Sequence, residues 1–359
     1  MRTKLVYILT CNPEATYIEQ TLISIWSTRC YNPNAHIVLI VDNRTNQLLV
    51  GTRAEILNYI TEKIVIKFED ENTTMMYRSR YIKTQVRNLV PGDLLFIDSD
   101  TIINHSLSEI DNCLYEVAAV PESHLPITQF HLSLYQSMNE NAQKIGWNPE
   151  QEQLYFSSGV IYARDTPIAH QLFKLWHQYW VDGLSKEVKI DQPSLAKANI
   201  ECGHVIQCIN DKWNCIMFTY PRWAKDAYIL HFSAYRNMSF LFSKRVLQYI
   251  KENGLTDYIK QYILHPTESY IPFDSEFYHY KLKDYFKTYK ILHSGIRQYA
   301  LLIDNTFYDI VSKGYILSFA HWLLRKKIYR LATWIILGHI RKRIKYNRLY
   351  KYQENINAK

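Results

Sequence analysis

Apolar and polar positions alternate between two periods along the first two-thirds of the chain. Leu5–Leu9, His36–Val41, Ile64–Phe68 and Leu94–Ile97 are short, nearly continuous apolar runs bounded by polar turns. Such runs read as strands buried on both faces of a parallel sheet. Between them, Glu14–Ser27, Arg53–Glu62 and Tyr77–Val90 carry apolar residues at helical spacing, as at Ile18, Leu22 and Ile25. Strand, helix, strand, helix in this order predicts right-handed βαβ units. Further on, Leu107–Cys113 reads as a short helix, Val117–Val120 as a strand, and Thr128–Trp147 as a polar loop or mobile helix. Leu154–Ala163 is a strand containing Gly159, which marks a close approach of ligand or backbone. His170–Gly183 is an amphipathic helix, Asp191-Gln192-Pro193 opens another, and Asp211–Asn214 is a loop. Ala227–Phe232 is a strand whose polar side chain is His231. From about Ser239 the alternation stops, and Ser243–Asn253, Ser275–Tyr289, Ser294–Lys313 and Tyr315–Leu337 are helix candidates.

The strand Leu94–Ile97 runs into Asp98-Ser99-Asp100. A buried strand cannot hold ionised carboxylates without partners, and open α/β sheets bind ligands beyond the carboxyl ends of their strands. Two hard oxygen ligands one residue apart suit Mg²⁺ or Mn²⁺ carrying substrate phosphates. An acidic turn is the plainer alternative for the pair in isolation. The chain has neither the Gly-rich dinucleotide fingerprint nor a P-loop.

Composition changes this picture in one respect. The net charge is +8, but eleven of the 42 Lys and Arg and one of the 34 Asp and Glu lie between Arg325 and Lys359. That segment carries +10 and the preceding 324 residues −2. A near-neutral body argues against nucleic acid as a partner. Within the tail, Phe319, Trp322, Leu323 and Trp334 interleave with Arg325, Lys326, Lys327 and Arg330, followed by Arg341–Lys345. This pattern predicts a helix in a membrane interface, with packing onto the protein as the alternative. The six cysteines show no metal-binding spacing and read as thiols of a reducing compartment. No apolar run reaches the length of a membrane span.

An ordered series of motifs resembles the GT-A glycosyltransferases of family 8, the family of glycogenin and the bacterial lipopolysaccharide galactosyltransferases. The series comprises Thr10-x-Asn12 with Tyr17, Lys83 before the acidic pair, Phe96-Ile-Asp-Ser-Asp-Thr101, Phe156-Ser-Ser-Gly-Val-Ile161, Asp191-Gln192, Lys212-Trp-Asn214 and Ile229-Leu-His-Phe232. Two positions depart from the family pattern: Ser157 replaces Asn and Ser233 replaces Gly. The resemblance implies a Rossmann-like GT-A domain over residues 1–238 and a helical C-terminal region over 239–359. It further implies metal-dependent transfer of a hexose from a nucleotide-diphosphate sugar, a UDP-sugar by family precedent, with retention of anomeric configuration. Asp98 and Asp100 would bind Mn²⁺ or Mg²⁺, and the resemblance assigns the third ligand to His231. Thr10, Asn12, Tyr17, Asp42, Lys83 and Ser99 would contact the nucleotide, with Arg80 as an alternative phosphate cation. Asp191 and Gln192 would face the sugar. A glycan or lipid-linked acceptor in bacterial surface polysaccharide synthesis, reached from the inner face of the cell membrane, fits the basic tail. Two other classes stay open on the residues: a phosphohydrolase using a D-x-D nucleophile, and a non-catalytic sugar-nucleotide or partner-binding module.

Overall fold

The structure is a computed structural model and describes residues 1–130, 132–216, 226–232 and 240–266. The expected helices Ser275–Tyr289, Ser294–Lys313 and Tyr315–Leu337, the basic segment to Lys359, and Ser233 lie outside the described residues. The chain divides into two units at Tyr270, and the first of them is described here.

The chain opens with β1 (Lys4–Leu9), α1 (Tyr17–Tyr31), β2 (Ile37–Asp42), the short α2 (Asn43–Gln47) and β3 (Glu62–Ile66). Helices α3 (Met75–Lys83) and α4 (Val86–Leu89) lead to β4 (Leu94–Ile97), after which β5 (Thr101–Ile103) begins four residues on. Next come β6 (Val117–Pro121), α5 (Leu132–Ile145), β7 (Phe156–Ala163), α6 (Pro167–Leu184), α7 (Gln192–Glu201) and β8 (Ile206–Cys208). The described residues close with β9 (Cys215–Ile216), β10 (Ile229–His231), α8 (Lys244–Asn253) and α9 (Asp257–Leu264). Among them, seven strands form one sheet in the order β3-β2-β1-β4-β7-β6-β8, and β5-β10-β9 form a second.

The first four strands of the large sheet are parallel, as the βαβ pattern predicts, and β7 runs antiparallel between β4 and β6. Every residue of β2, β4 and β7 is buried, which explains their continuous apolar runs. β3 is an edge strand with alternating exposure, and its register against β2 carries it to Ile66 opposite Asp42. It therefore starts and stops two residues before the run Ile64–Phe68. The expected helix Tyr77–Val90 is two helices. Thr84 terminates the first, its Oγ1 donating to Arg80 O at 2.9 Å and contacting His177 Nδ1 at 2.8 Å. Arg53–Glu62 forms a 3₁₀ turn over Gly51–Asn58 instead of an α-helix. The polar stretch after Thr128 is mostly the ordered helix α5. Met138, Ala142 and Ile145 put a narrow apolar stripe against Trp147, Tyr155 and Val188.

Helices α8 and α9 share the core of the N-terminal half through Val246, Leu247, Ile250, Ile259 and Ile263. Lys251 Nζ reaches Pro13 O at 2.8 Å, and Leu255 N donates to Glu55 Oε2 at 3.0 Å. No helix among the described residues is long and apolar enough to cross a membrane.

Candidate metal and sugar-nucleotide site

The site forms where the chain passes from the large sheet to the small one. β4 ends at Ile97, paired with Val160 of β7, and the ladder continues as Asp98 N donates to Gly159 O at 2.8 Å. Three residues later β5 starts and pairs antiparallel with β10, bringing Thr101 opposite His231. Phe232 N donates to Asp100 O at 2.9 Å, which fixes the crossing segment against β10. Sequence neighbours Asp98 and Asp100 thereby meet a histidine more than a hundred residues away. One ligand atom from each of Asp98, Asp100 and His231 lies within 4.8 Å of the others. The resemblance had named these three as metal ligands.

Gly159 is required at this junction. A Cβ there would lie 2.2 Å from His231 Cε1 and 3.1 Å from Asp98 Oδ2. His231 is held from behind by Asn214. Asn214 Nδ2 donates to Ser157 Oγ at 3.2 Å, so its Oδ1 faces His231 Nδ1 at 2.8 Å. Nδ1 must then carry the hydrogen, and Nε2 turns toward Asp100 Oδ1 at 3.3 Å. Burial opposes protonation of the imidazole, but the bond to Asp100 and the charge of the two carboxylates outweigh it and raise its pKa. Burial, aided by Asp100, also raises the Asp98 pKa against the opposing pull of Lys83.

Two oxygens and an imidazole nitrogen in one small volume fit Mn²⁺ or Mg²⁺, with remaining positions for phosphate oxygens. The Asn214 amide, bonded to Nδ1, selects the Nε2 lone pair for that role once its proton leaves.

A chain of charges leads away from the cluster. Lys83 Nζ lies 3.2 and 3.1 Å from the two Asp98 oxygens and 3.6 Å from Asp191 Oδ2. Arg80 Nε lies 2.7 Å from Asp191 Oδ1. Burial works against ionisation of Asp191, yet Lys83, Arg80 and a hydrogen bond from Ser158 hold its pKa down at about 2. The Asp191 charge in turn raises the Arg80 pKa. Asp191 precedes α7 but does not cap it with its side chain; Trp176 Nε1 pins its backbone oxygen at 2.8 Å instead. Gln192 follows, half-buried, with its amide nitrogen on Glu122 and Phe156.

The other expected nucleotide contacts have separate fates. Ser99 lies inside the crossing segment and accepts from Gln20 Nε2 at 3.0 Å. Thr10 is buried, and its hydroxyl donates to Met75 O at 3.2 Å. Asn12 is exposed on the loop after β1, with Oδ1 3.4 Å from Arg78 Nη2, and Tyr17 is half-buried at the start of α1. Asp42 has no exposed surface. It pairs with buried Arg78 and accepts from Thr45 N at 2.5 Å as the cap of α2. Arg78 and Glu122 carry the arrangement without a place in the motif series, while Asn214, the last residue of Lys212-Trp-Asn214, supports His231. Glu122 follows Pro121 at the end of β6, and its place beside Gln192 depends on the turn after it.

The sheet order and the crossing segment, with two carboxylates and a histidine beside fixed cations, are of the GT-A glycosyltransferase type. The chain belongs to glycosyl transferase family 8, whose model matches residues 14–237. It is a glycosyltransferase. Similar solved structures include the galactosyltransferase LgtC in complex with donor and acceptor sugar analogs, at 12% identity over 72% of this chain and 99% of that one, TM-score 0.48. Mouse xyloside xylosyltransferase 1 in its apo form is 14% identical over 65% of this chain and 98% of that one, TM-score 0.42. The glycosyltransferase GlyE of Streptococcus pneumoniae TIGR4 is 16% identical over 76% and 66%, TM-score 0.40. No curated protein matches this chain.

Proposed function

We propose that this chain transfers a hexose from a UDP-sugar to a glycan or lipid-linked acceptor with retention of configuration, using Mn²⁺ or Mg²⁺. The observation that carries the reading is the convergence of Asp98, Asp100 and His231 within 4.8 Å, beside the charge chain to Asp191. A divalent cation held there supplies Lewis-acid stabilisation of the diphosphate leaving group. Lys83 adds a fixed cation at the same place, already buried and oriented, so it needs no reorganisation as charge develops.

On the sugar side, both Asp191 oxygens face cations, which makes that carboxylate a poor nucleophile and a good hydrogen-bond acceptor for sugar hydroxyls. Gln192, its amide nitrogen engaged, offers a carbonyl oxygen that stabilises positive charge growing on the anomeric carbon. Asn12, Tyr17, Thr10 and Ser99 bind the nucleotide. Asp42, sealed behind Arg78, acts on that pocket through Arg78 and Asn12. The basic segment from Arg325 holds the enzyme at the inner membrane surface. A lipid-linked acceptor of surface polysaccharide synthesis would be met there.

The test is turnover of a panel of nucleotide sugars with and without Mn²⁺, run beside D100A. Metal-dependent release of UDP from one donor, lost in the variant, is the expected result. Failure of every nucleotide sugar to bind or turn over would leave a binding module instead.

A further inference from the structure

The amide nitrogen of Gln192 is fully committed. Nε2 lies 2.9 Å from Glu122 Oε2 and 2.9 Å from Phe156 O, and a primary amide has two N–H bonds to give. Flipping the amide would set its oxygen against a carboxylate and a carbonyl, with no proton between them. One orientation therefore survives, and the Gln192 carbonyl oxygen is directed away from both acceptors.

The surroundings of Glu122 hold it to this task. Its backbone N–H donates to Tyr155 O at 2.6 Å, and Oε1 accepts from Ser123 N at 3.2 Å. The next two residues, Ser123 and His124, have φ of 54° and 55°, a left-handed backbone that non-glycine residues rarely adopt. Such a pair persists where its neighbours fix it. Here buried His124 has Nδ1 3.2 Å from Asp211 Oδ1 and accepts from Ile216 N at Nε2, 3.1 Å. The turn ends β6 and leaves the Glu122 carboxylate against the start of α7.

We propose that Glu122 is a positioning residue for sugar transfer. It holds the Gln192 amide so that the carbonyl oxygen, not the NH₂, faces the anomeric carbon. Its charge also polarises the amide, increasing the negative charge on that oxygen. The inference rests on the glycosyltransferase reading of the same site. It adds that Gln192 works only as half of a Glu–Gln pair.

The experiment compares the full-length wild type, E122Q, E122D, Q192A and E122Q/Q192A on the donor that the wild type uses. In E122Q, kcat falls about ten- to a hundredfold while the donor KM stays within about twofold, since the lost interaction matters in the transition state. E122D, which keeps the charge, recovers part of the loss. Adding E122Q to Q192A changes kcat less than about twofold, because Glu122 has nothing left to position. A second readout needs no turnover. The side-chain NH₂ pair that vanishes from the amide spectrum in Q192A is protected from exchange in the wild type and loses protection in E122Q. An unchanged kcat in E122Q, losses that multiply with Q192A, or an unprotected wild-type NH₂ pair would each overturn the proposal. A wild type that turns over no nucleotide sugar overturns the glycosyltransferase reading and this inference with it. A protected NH₂ pair beside multiplying losses would overturn the inference alone.

Discussion

β2 and β4 flank β1 in the sheet; both are fully buried, β2 ends on Asp42 and β4 is followed by Asp98, and each aspartate meets a cation from α3. Their carboxylates have opposite fates. At Asp42 the account closes: one carboxylate, one guanidinium from Arg78, one backbone N–H from Thr45, and no exposed surface. At Asp98 it stays open. Lys83 is shared between Asp98 and Asp191, Arg80 pairs with Asp191, and His231 lies against Asp100. Asp98 and Asp100 also keep 27% and 17% of their side chains accessible, so a ligand can reach them. A balanced buried pair is a structural element. An excess of anion at a reachable strand end, with shifted pKa values, is the signature of a site.

The largest expected effect separates the two directly. D42N leaves the Arg78 guanidinium buried without its counter-charge and costs about 3–5 kcal/mol of stability. D98N costs less, because Lys83 keeps Asp191 at 3.6 Å as a counter-charge. Burial and Asp100 raise the Asp98 pKa, so the ionised form is the one the fold disfavours at neutral pH. Urea unfolding of both variants without divalent metal checks this. Equal losses would mean that Asp98 is a structural partner of Lys83, and the contrast would collapse.

The sequence pattern could not make that distinction, since both strands end in the same way. What differs is Arg78, 36 residues beyond Asp42 in the chain, and nothing in a local window says that its side chain returns to β2. The order of strands and helices was legible because βαβ units advertise their period and burial. The triad was legible through ordered motifs, with His231 in particular assigned by resemblance; local pattern alone left it an ordinary core histidine. Helix α5 was half-legible: its apolar stripe is narrow and set in polar residues, and the small core that it covers is assembled from distant Trp147, Tyr155 and Val188. Glu122 was missed because its role depends on a turn of two left-handed residues without glycine, which no composition rule flags.

A smaller effect tests how the open site is kept ready. Asn214 touches His231 through Nδ1 and does not join the ligand triad. In N214A the imidazole loses the acceptor that fixes its tautomer and orientation, and Mn²⁺ affinity falls about ten- to a hundredfold. Titration of free Mn²⁺ by its paramagnetic resonance signal reads this without any turnover. N214D, which keeps an acceptor at the same place, retains most of the affinity. An unchanged affinity in N214A would show that packing against Gly159 alone orients the ring.

The smallest effect has a sign that separates two views of Lys83. Its ammonium lies 3.1–3.2 Å from both oxygens of Asp98, close to where a cation bound by that carboxylate would sit. If Lys83 only supplied structure, removing it would leave Asp98 less well oriented and weaken metal binding. As a competing charge it must do the reverse. Two like charges within about 5 Å in a partly buried site repel by an amount that survives screening, so K83M tightens Mn²⁺ alone by about three- to tenfold. The same variant binds the nucleotide sugar more weakly, because a fixed cation for the diphosphate is gone and Asp191 keeps only Arg80. Opposite shifts in the two affinities, measured by titrating each ligand separately, would mean that Lys83 holds Asp98 until the anionic donor arrives to share the positive charge. Weaker binding of both would place Asp98 with Asp42 as an aspartate whose partner is simply its lysine.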